Sequence, residues 1–259
     1  MSAKHLVSRR ALIKNSVLGV AALTLAACDE LSEAPASRRV LFKAEELTKR
    51  AQRLLLGDTL APEYSEADIS PDFRANGTVD PDDEDYRRLA QGSFADWKLK
   101  LGGRVEKPME LSLADLRAMP ARTQITRHDC VEGWSSIGKW MGVPLAAVLD
   151  LVKPKPQARY VVFYCADTME EGDEGPVKYY ESIDLVDAAH PQTILAYEMN
   201  GAPLPIAYGA PLRLRLERQL GYKMAKYIMA IDLVDGISTI ADGMGGYWED
   251  RGYEWYAGI

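Results

Sequence analysis

The chain is short of positive charge, of cysteine and of histidine, and each shortage excludes something. It carries 31 Lys and Arg against 38 Asp and Glu, a formal charge of −7. Binding a phosphate backbone requires clustered cations, so nucleic-acid recognition is excluded as its main work. The three cysteines (Cys28, Cys130, Cys165) and three histidines (His5, His128, His190) are scattered, with no C-x-x-C and no H-E-x-x-H. A zinc site therefore has little to be built from. The mostly apolar stretch Asn15–Ala27 falls far short of the ~20 residues of a membrane-spanning helix. Fourteen Pro and 20 Gly are ordinary for this length, so low-complexity tails are not expected. What the chain does have is 259 residues, 47% of them hydrophobic, enough to bury the core of one large domain or two small ones.

Residues 1–27 read as an address. Ser8-Arg9-Arg10-Ala11-Leu12-Ile13-Lys14 resembles a twin-arginine export signal, and Asn15–Ala27 supplies its apolar segment. Leu25-Ala26-Ala27-Cys28 is similar to a lipobox, in which cleavage precedes the cysteine and its thiol is lipidated. Ordinary signal-peptidase cleavage nearby is the other reading. Loss of residues 1–27 removes Lys4, Arg9, Arg10 and Lys14 and no acid, taking the formal charge from −7 to −11. The expected location is periplasmic, with a membrane anchor at Cys28. Residues 28–69 form a tether and an N-terminal helix. Glu30–Arg39 is small, polar and charged, and Phe42–Leu56 sets Leu47, Ala51, Leu54 and Leu55 on one helical face.

The stretch that carries chemistry is Arg127-His128-Asp129-Cys130-Val131-Glu132-Gly133-Trp134-Ser135. A thiolate is a soft metal ligand, Gly133 admits close backbone approach, and Trp134 offers a flat wall with one donor. An inert buried cysteine at a strand end would use similar residues. The run R-H-D-C-V-E-G-W-S resembles the metal-ligand loop of the sulfite oxidase family, whose single Cys binds molybdenum held by a pterin dithiolene. That resemblance implies Cys130 as the metal ligand, with His128, Asp129 and Trp134 as candidates for supporting or substrate-side roles. If Cys28 is lipidated, a Cys130–Cys165 disulfide is the alternative in an oxidising compartment. A metal-bound thiolate would be protected from it. Export of already folded proteins by the twin-arginine route suits a chain that must first receive such a cofactor.

Two further blocks extend the resemblance. Phe73-Arg74-Ala75-Asn76-Gly77 loosely matches a family segment that reaches over the pterin, which implies Arg74 and Asn76 as cofactor-binding, although Asn and Gly also simply make turns. N-G-x-P-L-P from Asn200, then G-A-P-L-R-L from Gly209 and G-Y-K-x-x-K from Gly221, is similar to the C-terminal half of the same domain. There Tyr208 and Arg213 stand where the family contacts the pterin or its phosphate, and Met224, Ala225 and Lys226 where it cradles the phosphate end. Cys165 stands where relatives line the pterin. The chemistry agrees, because a guanidinium presents planar paired donors to phosphate or carbonyl oxygens and a tight loop presents backbone N–H groups. Tyr208 departs from the His or Asn common in relatives, and a solvated strand face remains the alternative for Lys226.

Between these blocks the pattern predicts strands at Trp97–Leu101, Met109–Ser112, Thr123–Thr126, Arg159–Cys165, Leu212–Leu216 and Ala230–Val234. It predicts a short helix ending at Pro120, another carrying Leu145, Val148, Leu149 and Val152, and a hairpin turn at Asn200-Gly201. Asp80–Asp85 reads as a solvated loop or a helix start. The aromatic tail Gly243–Tyr256 either packs on the core or rims the site entrance. The resemblance implies an α+β, mixed, β-rich fold with a single catalytic domain over 70–259, holding molybdenum–molybdopterin and performing oxygen-atom transfer. Sulfite-oxidising relatives place an Arg shortly after the metal Cys. Here Val131-Glu132-Gly133-Trp134 stands instead, and its carboxylate would repel sulfite. The expected substrate is a small sulfur-containing, sulfoxide-type molecule, with a membrane heme protein or cytochrome as separate electron partner and a monomeric chain. Sulfite oxidation with a cytochrome acceptor, or a lipid-anchored binding protein without catalysis, are the alternatives.

Overall fold

The computed structural model describes residues 35–173 and 175–259. The expected export signal, Cys28 and the first part of the tether lie outside the described residues. The chain divides into two units, one ending at Leu55 and one spanning Leu56–Ile259. The first contains helix α1 (Pro35–Leu56), which starts ahead of the expected Phe42. A proline suits the first helical position, where its missing N–H has no intrahelical partner to lose.

The second unit begins with an irregular stretch stitched to a later strand: Tyr64 N donates to Ile125 O at 2.9 Å. Helix α2 (Glu84–Gln91) follows, and Asp83 caps it by accepting from Tyr86 N at 2.6 Å, so the acidic run is a helix start. In β1 (Lys98–Gly103) the lysines face out while Leu99 and Leu101 are buried, the alternation a half-buried strand requires. β2 (Met109–Ser112) leads into α3 (Leu113–Ala118) through a Ser112–Asp115 capping box. β3 (Arg122–Asp129) and β4 (Ser135–Pro144) flank the Cys130 loop, and α4 (Leu145–Val152) buries Leu145, Val148, Leu149 and Val152. β5 (Tyr160–Gly172), β6 (Gly175–Asp184), the single turn α5 (Leu185–Ala188), β7 (Ile194–Met199), β8 (Ala202–Pro203), β9 (Arg213–Arg215) and β10 (Ile228–Val234) complete the order.

These strands form two sheets, β2-β1-β10-β5-β6 and β3-β4-β7-β8, with β9 paired to β7. Only β1–β10 is parallel among the described pairs. One apolar cluster joins the sheets, drawing Leu99, Val162 and Ile231 from the first and Val143, Leu195 and Leu214 from the second. Full burial of each such side chain contributes about 1.5–3 kcal/mol. The α+β, β-rich expectation is met. The Asn200-Gly201 hairpin forms as read, with φ of 52° and 79° at its two central residues, the positive pair that favours Asn-Gly.

Candidate active site

β3 carries the chain straight into the Cys130 loop, and β4 carries it away. The loop is closed by its own backbone: Cys130 N donates to Trp134 O at 2.9 Å and Gly133 N to Cys130 O at 3.0 Å. Gly133 sits at φ 85°, a conformation costly for other residues. This turn holds Cys130 at one wall of an open cleft with about 160 Å³ of free interior. Asn76, Gly77 and Thr78 form a second wall, and Asp167 and Met169 come from β5 and Tyr179 from β6. Gly221, Tyr222, Met224 and Lys226 come from the segment between β9 and β10, while Trp248 and Tyr253 come from the tail. Burial raises the Cys130 thiol above its ordinary pKa. Cys130 and Cys165 are both free.

Behind the cleft lies a group of cations with uneven compensation. Arg215 is fully buried and paired with Glu217, Nε to Oε1 at 2.9 Å and NH2 to Oε2 at 2.6 Å. Arg213 is equally buried, stacks on Trp140 at 4.9 Å, and gives one hydrogen bond, NH1 to Tyr208 O at 2.9 Å. Its Nε and NH2 have no partner. Burial, then the neighbouring Arg215 charge, pushes its pKa down to about 9. Lys226 Nζ donates to the carbonyls of Asn76 (2.7 Å), Thr78 and Ala207 (3.2 Å). Burial, then Arg213, brings its pKa down to about 7. Asp167, in the cleft wall, has Oδ1 without a partner, and burial raises it to about 6.

His128 is buried and its Nδ1 meets Arg215 NH1 at 3.1 Å. The guanidinium can only donate, so Nδ1 accepts and the hydrogen sits on Nε2, which has no partner. Burial, then Arg215, Arg213 and Lys226, keeps the ring neutral by lowering its pKa well below the usual value. A Cβ on Gly221 would lie 2.3 Å from His128 Cε1, so the absence of a side chain there brings the cleft segment against β3.

The structure gathers Cys130, Asn76, Met224 and Lys226 in the cleft wall, and buries Ala225 next to them. Trp134 packs on His128 at 5.6 Å, beneath the Arg74 guanidinium at 5.5 Å, and its indole N–H donates to Glu132 at 2.8 Å. Tyr208 donates to Phe73 O at 2.6 Å and so ties two of the expected segments together. Asp129 points elsewhere: it pairs with Arg127 at 2.9 Å, accepts from Ser135 Oγ at 2.5 Å, and lines a separate groove with Tyr64 and Arg218. Cys165 is buried on β5 opposite Ile228 and is not part of the cleft wall. Sequence reading missed Thr78, Tyr179 and Gly221 as wall residues and Arg215 as the partner of His128. The tail does both: Tyr247 is buried in the main core and Tyr256 is buried too, while Trp248 and Tyr253, stacked at 5.3 Å, stand at the rim. Their clustering in an aromatic, glycine-rich tail was the available signal.

Residues 88–239 match the model of the oxidoreductase molybdopterin binding domain family. The chain is 42% identical to a protein of Azospira oryzae provisionally named protein-methionine-sulfoxide reductase subunit YedZ1, over 77% of this chain and 68% of that one. It is 32% identical to the protein-methionine-sulfoxide reductase catalytic subunit MsrP of Xanthomonas campestris pv. campestris, over 85% of this chain and 68% of the relative. Among solved structures, the sulfane dehydrogenase SoxCD from Paracoccus pantotrophus aligns with TM-score 0.48 and 20% identity, covering 59% of this chain and 45% of that one.

Proposed function

The chain belongs to the oxidoreductase molybdopterin binding domain family, and from that premise we propose that it reduces a small sulfoxide, methionine sulfoxide first among candidates. Membership makes it an enzyme, an oxidoreductase of the sulfite oxidase type with molybdenum–molybdopterin as cofactor. When bound, that group supplies two-electron oxygen-atom transfer. The residues present fit it. Arg213 has two buried donors without a partner, and Lys226 is buried beside it with no acid in hydrogen-bond contact. A buried cation left uncompensated is destabilising, and an anionic ligand would remove that penalty. Cys130 would hold the metal. Arg213, Lys226 and the backbone of Met224 and Ala225 would hold the pterin and its phosphate, with Asn76 covering it. Arg74, His128 and Trp134 form the packed support that fixes the loop.

The observation that carries the substrate reading is Glu132. Its carboxylate lines the same wall as Cys130 and is held by the Trp134 indole. An anion such as sulfite would meet that charge at close range, whereas a neutral sulfoxide would not. The relatives' names point the same way. Reduction of a sulfoxide takes up two electrons and two protons and releases a thioether and water. Asp167, with its pKa near 6, can hold or release a proton inside the cleft around neutral pH. The electrons would come from a separate partner, a membrane heme protein or a cytochrome. Export to the periplasm by the Ser8–Lys14 signal, with a lipid on Cys28, completes the reading.

The test is to purify the exported protein from a host that makes the cofactor and measure its molybdenum. The wild type should hold close to one molybdenum per chain and reduce methionine sulfoxide with a reduced dye, while leaving sulfite unoxidised by an electron acceptor. Cys130→Ala should lose the turnover. Full activity in Cys130→Ala, or sulfite turnover exceeding sulfoxide turnover, would overturn the reading.

A further inference from the structure

Helix α1 presents an apolar stripe that no described residue of its own unit covers. Ala44, Leu47, Ala51, Leu54 and Leu55 are exposed, the leucines at 69%, 85% and 81% of their full surface. At 100° per residue they fall within about 100° of the helix circumference. Three large aliphatic side chains in water along one stripe are unfavourable unless something receives them. The helix is also the cationic part of the chain. It contains Arg38, Arg39, Lys43, Lys49, Arg50 and Arg53 against Glu45 and Glu46, a formal +4, while residues 57–259 carry −12. Lys43 and Arg50 are exposed along the edge of the stripe.

We propose that α1 is a membrane-surface helix, its leucine stripe set into the head-group boundary of an anionic bilayer and its basic residues against the lipid charges. An apolar stripe flanked by Lys and Arg is what lies in a lipid interface, and each such cation near an anionic surface strengthens attachment. No helix among the described residues is long and apolar enough to cross a membrane, so α1 would lie on it. A second copy of α1 is the poorer occupant, because it would set +4 against +4. The inference does not depend on lipidation of Cys28 or on the enzyme's substrate. A surface helix continuous in sequence with the catalytic unit would keep the enzyme at the bilayer, where a membrane heme protein could serve as its electron donor.

The experiment uses a chain of residues 29–259, which keeps every described residue and lacks both the signal and Cys28. It is mixed with vesicles of phosphatidylcholine alone or of phosphatidylcholine with phosphatidylglycerol, and sedimented. The chain should partition onto the anionic vesicles at least about ten-fold more strongly than onto the neutral ones, and high salt should release it. The double variant Leu54→Glu, Leu55→Glu should lose at least about ten-fold of that binding, with the melting temperature unchanged because both side chains are exposed. Lys43→Ser with Arg50→Ser should weaken binding to anionic vesicles and leave the neutral ones unaffected. Absence of binding to anionic vesicles, or binding indifferent to the leucine changes, would overturn the proposal. So would a dimer in solution that the leucine changes dissociate, or attachment only to vesicles that contain a heme protein.

Discussion

Arg213 brings a positive charge into a dry interior and meets no carboxylate, while its neighbour Arg215 is clamped by Glu217. That difference between two arginines two residues apart is the ground for proposing a structural role for Arg215 and a ligand-holding role for Arg213. Arg213→Met should therefore raise the melting temperature of the cofactor-free protein while lowering its molybdenum content after expression in a competent host. A cofactor-free variant less stable than wild type, with full metal content, would show that Arg213 serves the fold alone. Lys226 gives a pH dependence of known sign. Its folded pKa, about 7, lies below the ordinary 10.5, so the folded state binds the proton less well than the unfolded one. The stability this group contributes is fully present above pH 10.5 and is lost as pH falls through 7. The melting temperature of cofactor-free Lys226→Met, measured relative to wild type, should then be most favourable below pH 7 and decline as pH rises through that window. A flat difference would contradict it.

The segment after β9 reaches β3 where Gln124 donates to Glu217 at 2.8 Å, and it presses tightly on β3 where Gly221 faces His128. This contact decides how near the Cys130 loop lies to Lys226, so the two motifs share one cleft because position 221 has no side chain. Gly221→Ala should destabilise by about 1–3 kcal/mol, the range for overpacking a filled interior, in urea unfolding, and should reduce metal content. Behaviour identical to wild type would mean that the two elements give way freely. The same segment is held from behind by Lys223, buried between Glu181 (2.5 Å) and Glu249. Two carboxylates around one ammonium leave a surplus negative charge, and burial, then Glu249, raises Glu181 well above the ordinary carboxylate range. Tyr179 of β6 donates to Tyr222 O and Trp255 lies 5.3 Å from Lys223. The tail is thereby fastened to the cleft segment, and this is how Trp248 and Tyr253 come to stand at the rim.

At the scale of the molecule, charge is segregated, with a basic N-terminal helix and an acidic body of −12 over residues 57–259. Such a body disfavours anionic substrates at long range as Glu132 does at short range. For methionine sulfoxide, which has no net charge, kcat/KM should change by less than about two-fold between low and moderate salt, since screening acts on charged encounter. A steep salt dependence would point to an anionic substrate instead.

Much of the plan was legible in residue order. The alternation in β1, the β-branched run in β5, the Asn200-Gly201 turn and the short helix stopped at Pro120 are local, and local rules found them. β4 and β6 escaped because their buried positions mix apolar residues, Trp140 and Val143 in one and Tyr179 and Ile183 in the other, with small or polar ones. In β4 Ser136 is buried, Gly138 faces Phe73 and Gly142 faces Leu195, and Glu181 and Ser182 of β6 are buried in polar contacts. A clean apolar alternation is lost where small and polar residues share the buried positions with apolar ones. The order of residues alone determined that a thiol stands in a tight loop and that arginine and lysine recur later in a β-rich chain. Only the tertiary structure decided that Cys130 and Lys226 share a cleft and that Asp129 and Cys165 do not. It also decided that Arg213 keeps two donors unpaired among the described residues while Arg215 is paired with Glu217, because pairing and burial are set by strands more than 80 residues apart in the chain, such as β3 and β9.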